Sequence, residues 1–310
     1  MKVYTKQEIE RVIDLPHSIA EIEKGLIHSF RGEVLTAPVS FMHFEMPQGD
    51  VHIKSAAVRG DEYYVVKIAS GFYENPKQGL SSSNGVMLLF SQKTGALKAV
   101  LFDEGLLTDL RTGLAGAITV KHLAQHPITK IGIIGTGTQA REQLFHLQSV
   151  TSCRDVLVWG RNTAKAKAFS LDPYLKAFSI KPVQKIEEIT RHCNVIMTAT
   201  SSTKPLLFGH QLLPGAHITA VGTDDAGKQE LDASVFERAD LIVVDSLTQC
   251  LNYGDLSYAK SIDIHTVAEL GHFLAEPQKR QKNWITVADL TGVAIEDLQV
   301  AKAIYLKLQS

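Results

Sequence analysis

Several charged residues stand in settings that a solvated surface does not explain. Lys67 lies in YYVVKIASGF, between apolar neighbours of an alternating run. Lysine is seldom buried without a partner. Its amine either anchors a carboxylate, works with a lowered pKa, or reaches solvent past the strand. Arg111 lies in LLTDLRTGLAG, among the small residues of a close-packed helix. A guanidinium there meets an anion. That anion is a substrate carboxylate gripped by the guanidinium fork, or an internal partner such as Asp109 or Glu104. Asp224 and Asp225 follow HITAVGT at the C-terminal end of a strand, the end where open α/β sheets bind ligands. A carboxylate there can move a proton to or from a substrate nitrogen. It can equally cap a helix or shape a turn. Glu230, a little further on, reads as structural. His122 and His126 have i,i+4 spacing, but no third ligand of obvious spacing accompanies them, so no metal site is expected.

The sharpest local pattern is Gly135-Thr136-Gly137-Thr138-Gln139-Ala140. It follows the apolar run KIGII and opens a helical stretch. The first glycine makes the tight turn, and the second lets backbone approach a pyrophosphate. Ala140 takes the third small position, where helix packs on strand. Phosphates would sit at the helix N-terminus, on free N–H groups and the favourable dipole. The acidic residue that reads a ribose should lie ~20 residues beyond the glycines. The run DVLVW ends instead in Gly160-Arg161-Asn162-Thr163. Arg161, with Asn162 and Lys165 assisting, suits a 2′-phosphate, which favours NADP(H) while NAD(H) stays possible. An ordinary solvated arginine is the plain alternative.

These residues need elements to hold them. Two helices open the chain, the first capped by Thr5 with Glu8. In the second, Ser18 to Phe30, Ile19, Ile22, Leu26 and Ile27 share a face and Gly32 stops it. From Val34 to about Phe102 the alternation predicts an antiparallel meander, with Gly60-Asp61 as one turn. Leu107 to about His126 is a small-residue helix. After Pro127, apolar strands KIGIIG, DVLVW, NVIMTAT, HITAVG and LIVVDS alternate with helices, the pattern of a parallel, doubly wound sheet. A last strand, WITVADL, leads into a closing helix.

Composition bounds the function. The 310 residues hold 45% hydrophobic and 21% charged residues, ample for a core. Lys plus Arg number 32 against 33 Asp plus Glu, so the basic footprint of a nucleic-acid binder is absent. Cys153, Cys193 and Cys250 form no CxxC pair, which fits a reducing compartment. The charged N-terminus lacks an apolar signal core, and no run approaches the ~18 apolar residues of a spanning helix. A cytoplasmic protein with no membrane partner is expected.

Five segments in order resemble the ornithine cyclodeaminase / mu-crystallin family across nearly the whole chain. They are YYVVKIASGFYENPKQGLSSSNG, LLTDLRTGLAGAI, IGIIGTGTQAREQL, VGTDDAGKQEL and ITVADLTGVAIEDL. The resemblance implies an α/β fold: a Rossmann doubly wound parallel sheet inserted into an α+β substrate and dimerisation domain. It implies residues 1–118 plus 290–310 for the latter, 119–289 for the former, and a homodimer paired through the substrate domains. It assigns Lys67 as the active-site lysine, Arg111 as the carboxylate-binding arginine and Asp224 as the catalytic aspartate. Gly135, Gly137 and Gln139 match the dinucleotide loop, and Thr112 follows the matched arginine as it does in the family. The chain departs from the family pattern at Gly113-Leu114, where two alanines are usual, and at Ser81, where proline is usual. An arginine often found near Pro38-Val39 is absent. In that general area stand His52-Ile53-Lys54, a poor site for the distal ammonium of ornithine and a better one for an anion or neutral ring.

The expected activity is NAD(P)H-dependent reduction of an α-imino acid, such as Δ1-pyrroline-2-carboxylate to L-proline. Alternatives are an ammonia-releasing cyclodeaminase, an amino-acid dehydrogenase or iminosuccinate-type reductase, and a small-ligand binding protein. Retention of Lys67, Arg111 and Asp224 argues against pure binding.

Overall fold

Two units share the chain in the computed structural model, which describes residues 1–310. The first is Met1–Arg111 with Val293–Ser310, and the second is Thr112–Gly292. In chain order the elements begin with β1 (Lys2–Thr5), α1 (Lys6–Val12), α2 (Leu15–Phe30), β2 (Val34–Thr36) and β3 (Ser40–Phe44). Next come β4 (Gly49–Val58), β5 (Tyr63–Phe72), β6 (Ser83–Ser91), β7 (Leu97–Phe102) and α3 (Leu106–Leu123). Then follow β8 (Ile131–Ile134), α4 (Thr138–His146), β9 (Asp155–Trp159), α5 (Thr163–Ser170), β10 (Ser179–Pro182) and α6 (Ile186–His192). After β11 (Val195–Thr198) come β12 (Thr203–Leu207), β13 (His217–Ala220), β14 (Gln229–Leu231), α7 (Ala233–Glu237) and β15 (Leu241–Val244). The chain closes with α8 (Leu247–Tyr253), β16 (Val267–Glu269), α9 (Leu270–Ala275), β17 (Thr286–Asp289) and α10 (Ala294–Gln309).

In the first unit β4 to β7 form the antiparallel meander that alternation predicts, in the sheet order β1-β7-β6-β5-β4-β2 with β3 also on β4. Strand β1 was not expected. It joins parallel to β7, a pairing between distant parts of the chain that a four-residue run cannot advertise. Thr5 and Glu8 cap α1 as their spacing predicts, with the Glu8 carboxylate 2.8 Å from the Thr5 nitrogen. Helix α2 starts at Leu15, ahead of Ser18, because Asp14 accepts a hydrogen bond from the His17 nitrogen at 3.1 Å and Pro16 fits the first turn. Its Ile19, Ile22 and Leu26 are buried. Helix α10 packs on α2 and on β4, β5 and β6. The approach is close at Gly25, where an added Cβ would lie 2.6 Å from Gln299 Cγ. Period-two burial of Lys54, Ala56 and Val58 on β4, and of Val65 and Lys67 on β5, gives the sheet one covered face. Two of those five residues are charged.

The second unit is the doubly wound sheet, parallel throughout in the order β10-β9-β8-β11-β13-β17-β15-β16. Apolar cores form on both of its faces. Ile133, Val156, Val158 and Val195 pack into one, and Ile134, Leu157 and Ile196 into the other. That is why these strands read as near-continuous apolar runs. The strand order reverses at β8 and β11, which makes their C-terminal ends the switch point where such sheets bind ligands.

Candidate active site

The two buried cations of the first unit meet carboxylates from the far end of the chain. Lys67 Nζ lies 2.9 Å from Asp297 Oδ2, and the Lys67 side chain is 2% exposed. Arg111 places Nη1 3.1 Å from Glu296 and Nε 3.2 Å from Asp297. Of the alternatives the sequence left open for Lys67, the one in which its amine reaches solvent is set aside. Arg111 does meet internal anions, and these include Glu296 and Asp297, which the sequence did not single out. Both acids stand in the first turn of α10, where the helix dipole favours negative charge. Burial pushes the Lys67 amine down to about 7; Asp297 pulls it back, and Arg111 and Lys54 push it further down. Lys67 and Lys54 are direct register partners across β5 and β4.

Asp103 belongs to the same unit and was overlooked. It is buried, and it accepts a hydrogen bond from the Leu107 nitrogen at 2.7 Å at the start of α3, the helix carrying Arg111. Burial raises its carboxyl above the usual range. The link to α3 is the turn Glu104-Gly105, with φ of 55° and 87°. Glu104 is thus a non-glycine residue in the left-handed region.

Lys54 is buried, and His52 is mostly so. His52 Nε2 lies 3.4 Å from Asp50 Oδ1, and its ring meets Phe41 edge-on at 4.8 Å. The reading of His52 and Lys54 as a site for an anion or neutral ring left Asp50 out, and the structure places this acid against His52. Strand alternation puts Asp50, His52 and Lys54 on one face of β4, a signal that was available.

In the second unit the glycine turn fits a dinucleotide. Gly135 has φ of +130°, and a Cβ there would lie 2.3 Å from the Ala199 carbonyl oxygen. Only glycine fits. Gly137 has nothing within 4 Å of such a Cβ, so its surroundings are open, and it stands as N-cap of α4 with no capping side chain. These are the conditions for phosphate binding at a helix N-terminus. A cavity of about 420 Å³ runs from this turn between Trp159, Arg161 and Thr200. Arg161, Asn162 and Lys165 line it together. The Asn162 side-chain oxygen is already used, accepting from the Ala164 and Lys165 nitrogens as cap of α5. Thr138, Gln139 and Ala140 form the first turn of α4 and do not line the cavity. Ala140 is buried where the helix meets the strand. Nor does Thr112 line it; its carbonyl accepts from Gln143 Nε2 at 2.8 Å.

Asp224 lies on the loop after β13. Its Oδ1 accepts from Lys228 Nζ at 2.6 Å, and its side chain is 41% exposed. It caps no helix. Asp225 closes the turn by accepting from the Ala226 nitrogen at 2.7 Å.

A parallel doubly wound sheet with a glycine turn at its switch point, in a chain whose other unit holds a buried Lys–Arg–carboxylate cluster, defines a Rossmann-type dinucleotide-binding protein. Residues 1–310 match the ornithine cyclodeaminase/mu-crystallin family, and the chain belongs to it. It is 34% identical over 310 residues to the alanine dehydrogenase of Archaeoglobus fulgidus, covering 98% of this chain and 94% of that one. It is 30% identical over 320 residues to a Δ1-pyrroline-2-carboxylate reductase of Bacillus cereus, covering 99% and 96%. The structure of the Thermococcus litoralis Δ1-pyrroline-2-carboxylate reductase with NADH and L-proline superposes with a TM-score of 0.92 at 30% identity, covering 100% of this chain and 98% of that one.

Proposed function

We propose that this chain is a nicotinamide-dependent oxidoreductase that reduces an α-imino acid, a cyclic ketimine such as Δ1-pyrroline-2-carboxylate giving L-proline. The observation that carries the reading is the buried Lys67–Arg111 pair, two cations held in place by Asp297 and Glu296. Burying charge on this scale is a poor way to gain stability, so a binding role gives it a reason. Lys67 and Arg111 take the substrate carboxylate, and Glu296 and Asp297 fix the guanidinium plane so that one orientation is held. Asp224, or a water it holds, keeps the imine nitrogen protonated and its carbon electrophilic. Lys228 orients the Asp224 carboxylate for that task. The nicotinamide, when bound, supplies the hydride that the α-carbon receives. Gly135 and Gly137, with the first turn of α4 from Thr138 to Ala140, would hold its pyrophosphate.

NADPH is the preferred reductant in this reading. Arg161 and Lys165 line the groove where a 2′-phosphate would lie, and no acidic residue follows β9 to repel it. The first unit serves as the substrate and dimerisation unit of a cytoplasmic homodimer, and light scattering on the purified protein tests the dimer.

The test is NADPH and NADH oxidation at 340 nm with Δ1-pyrroline-2-carboxylate, with and without ammonia. Fast oxidation independent of ammonia is expected, and Arg161→Ala should erode the NADPH preference about tenfold. One observation favours a second reading. Lys54 is buried beside Lys67 on the covered sheet face, where it could meet a second carboxylate, as in iminosuccinate. Oxidation that requires ammonia and a keto acid would move the assignment to an amino-acid dehydrogenase.

A further inference from the structure

The second unit contains a fully buried carboxylate that the mechanism above does not use. Glu230 is at the centre of the short strand β14 and is 0% exposed. Its two oxygens accept from two different loops. Oε1 accepts from the Thr200 nitrogen at 2.6 Å. Oε2 accepts from Thr198 Oγ1 at 2.8 Å and from the Gly222 nitrogen at 2.9 Å. Thr200 follows β11 and lines the dinucleotide cavity. Gly222 follows β13, in the loop that carries Asp224. The approach is close: a Cβ on Gly222 would lie 2.6 Å from Glu230 Cδ and 2.3 Å from the Thr200 oxygen. Beneath, Asp255 Oδ1 accepts from the Glu230 and Leu231 nitrogens at 2.8 and 2.9 Å, which holds the backbone that presents the carboxylate.

We propose that Glu230 is a positioning residue that ties the loop lining the dinucleotide groove to the loop carrying Asp224, so that cofactor binding and proton delivery are set together. The part about Asp224 rests on the function proposed above; the part about the groove does not. An apolar or amide side chain would fill this site at lower electrostatic cost, since burial and neighbouring Asp255 both disfavour the charged form of Glu230. A glutamate side chain can accept on both of its oxygens, which is how one residue reaches Thr198, Thr200 and Gly222 together. Glutamine has a single carbonyl oxygen, so Glu230→Gln must turn an NH2 group towards one of the two loops.

The decisive measurement is NADH titration of Glu230→Gln, followed by nicotinamide fluorescence, together with amide hydrogen exchange. The expected result is a Kd about tenfold above wild type, the scale of one charge-assisted hydrogen bond lost. Faster exchange at Thr200 or Gly222 and a lowered kcat should accompany it, with Tm kept within a few degrees. A Kd within twofold of wild type with unchanged exchange overturns the proposal. So does a loss of Tm that leaves the Kd and kcat of the folded fraction intact, because that is a structural role alone. Should the variant fail to fold, wild-type protein decides. NADH should slow exchange at residues 222–224 as well as 199–202, and protection confined to 199–202 overturns the coupling. The binding and exchange readouts stand even if wild type reduces no imine, so failure of the proposed function and failure of this inference are separable.

Discussion

The candidate groups of the two units are built in opposite ways. In the first unit Lys67 and Arg111 are buried and paired with Glu296 and Asp297. In the second, Asp224 is half-exposed on a loop, where it pairs with Lys228. The pair proposed to bind the substrate carboxylate is therefore part of the core, and its energetics are those of folding. The aspartate proposed to handle the proton sits on a loop instead. An anion anchor benefits from low dielectric, where each charge interaction is strong. A group that exchanges protons needs contact with water.

The largest effect should follow Lys67→Met. Asp297 then keeps only Arg111 as its buried cation, so stability should fall, by less than the about 3–5 kcal/mol of a charge left wholly unpaired, read by urea unfolding. Activity should drop about a thousandfold, measured as kcat/KM, with the carboxylate anchor gone. Adding Asp297→Leu should restore none of the activity and little of the stability, since it also takes a carboxylate from Arg111. A single variant as stable as wild type would remove the basis of the comparison.

Asp224→Asn should lower kcat by about 10²- to 10⁴-fold, the range for loss of a positioned acid–base group. Its stability should stay within about 0.5 kcal/mol of wild type. A Tm loss matching that of Lys67→Met would show that the loop is as integral as the ion cluster.

The second unit has its own sensitive point away from these groups. A Cβ on Gly113 would lie 2.4 Å from His146 Cδ2 and 3.0 Å from the Glu142 carbonyl oxygen. Gly113→Ala should cost about 1–3 kcal/mol by overpacking, and His146→Ala should relieve part of it. This contact gives the departure from the family's usual alanine a physical reason: here His146 occupies the space a methyl group would need.

The remaining effect is a pH trend with opposite signs in activity and stability. Lys67 titrates at about 7 in the folded chain against 10.5 for a free side chain. Between those values the unfolded state binds the extra proton, so this group's contribution to stability rises with pH. The anchor loses its charge over the same interval, so kcat/KM should fall as pH climbs past about 7. Flat profiles in both measurements would place the Lys67 amine outside this window.

Much of the second unit was legible because its signals are local. The glycine turn, the apolar strands and the helix after them lie within a few residues of one another, and steric rules at Gly135 act over the same distance. Lys67 and Arg111 were legible for another reason: a charge in an apolar or small-residue frame needs a partner. Which partner was not legible. Asp297 lies 230 positions from Lys67, and Glu296 lies 185 from Arg111. The motif VAIEDLQVA shows only two acids opening a helix. Asp50 stands beside His52 by simple strand alternation, a relation the sequence carries in its spacing. The parallel entry of β1 beside β7 left no mark on its own short run.

The sequence by itself determined the periodicities, the turns that only glycine can make, and the positions at which a charge would be costly to leave alone. Those follow from backbone sterics and solvation, which act residue by residue. Tertiary structure alone decided who meets the buried charges, that Glu230 spans two loops, and that Asp224 stays near water. Those outcomes depend on long-range closure, in which helix α10 returns to the first sheet and β14 comes to lie against the loops after β11 and β13. No local pattern encodes such a return, because the energy that drives it is spread over the whole core.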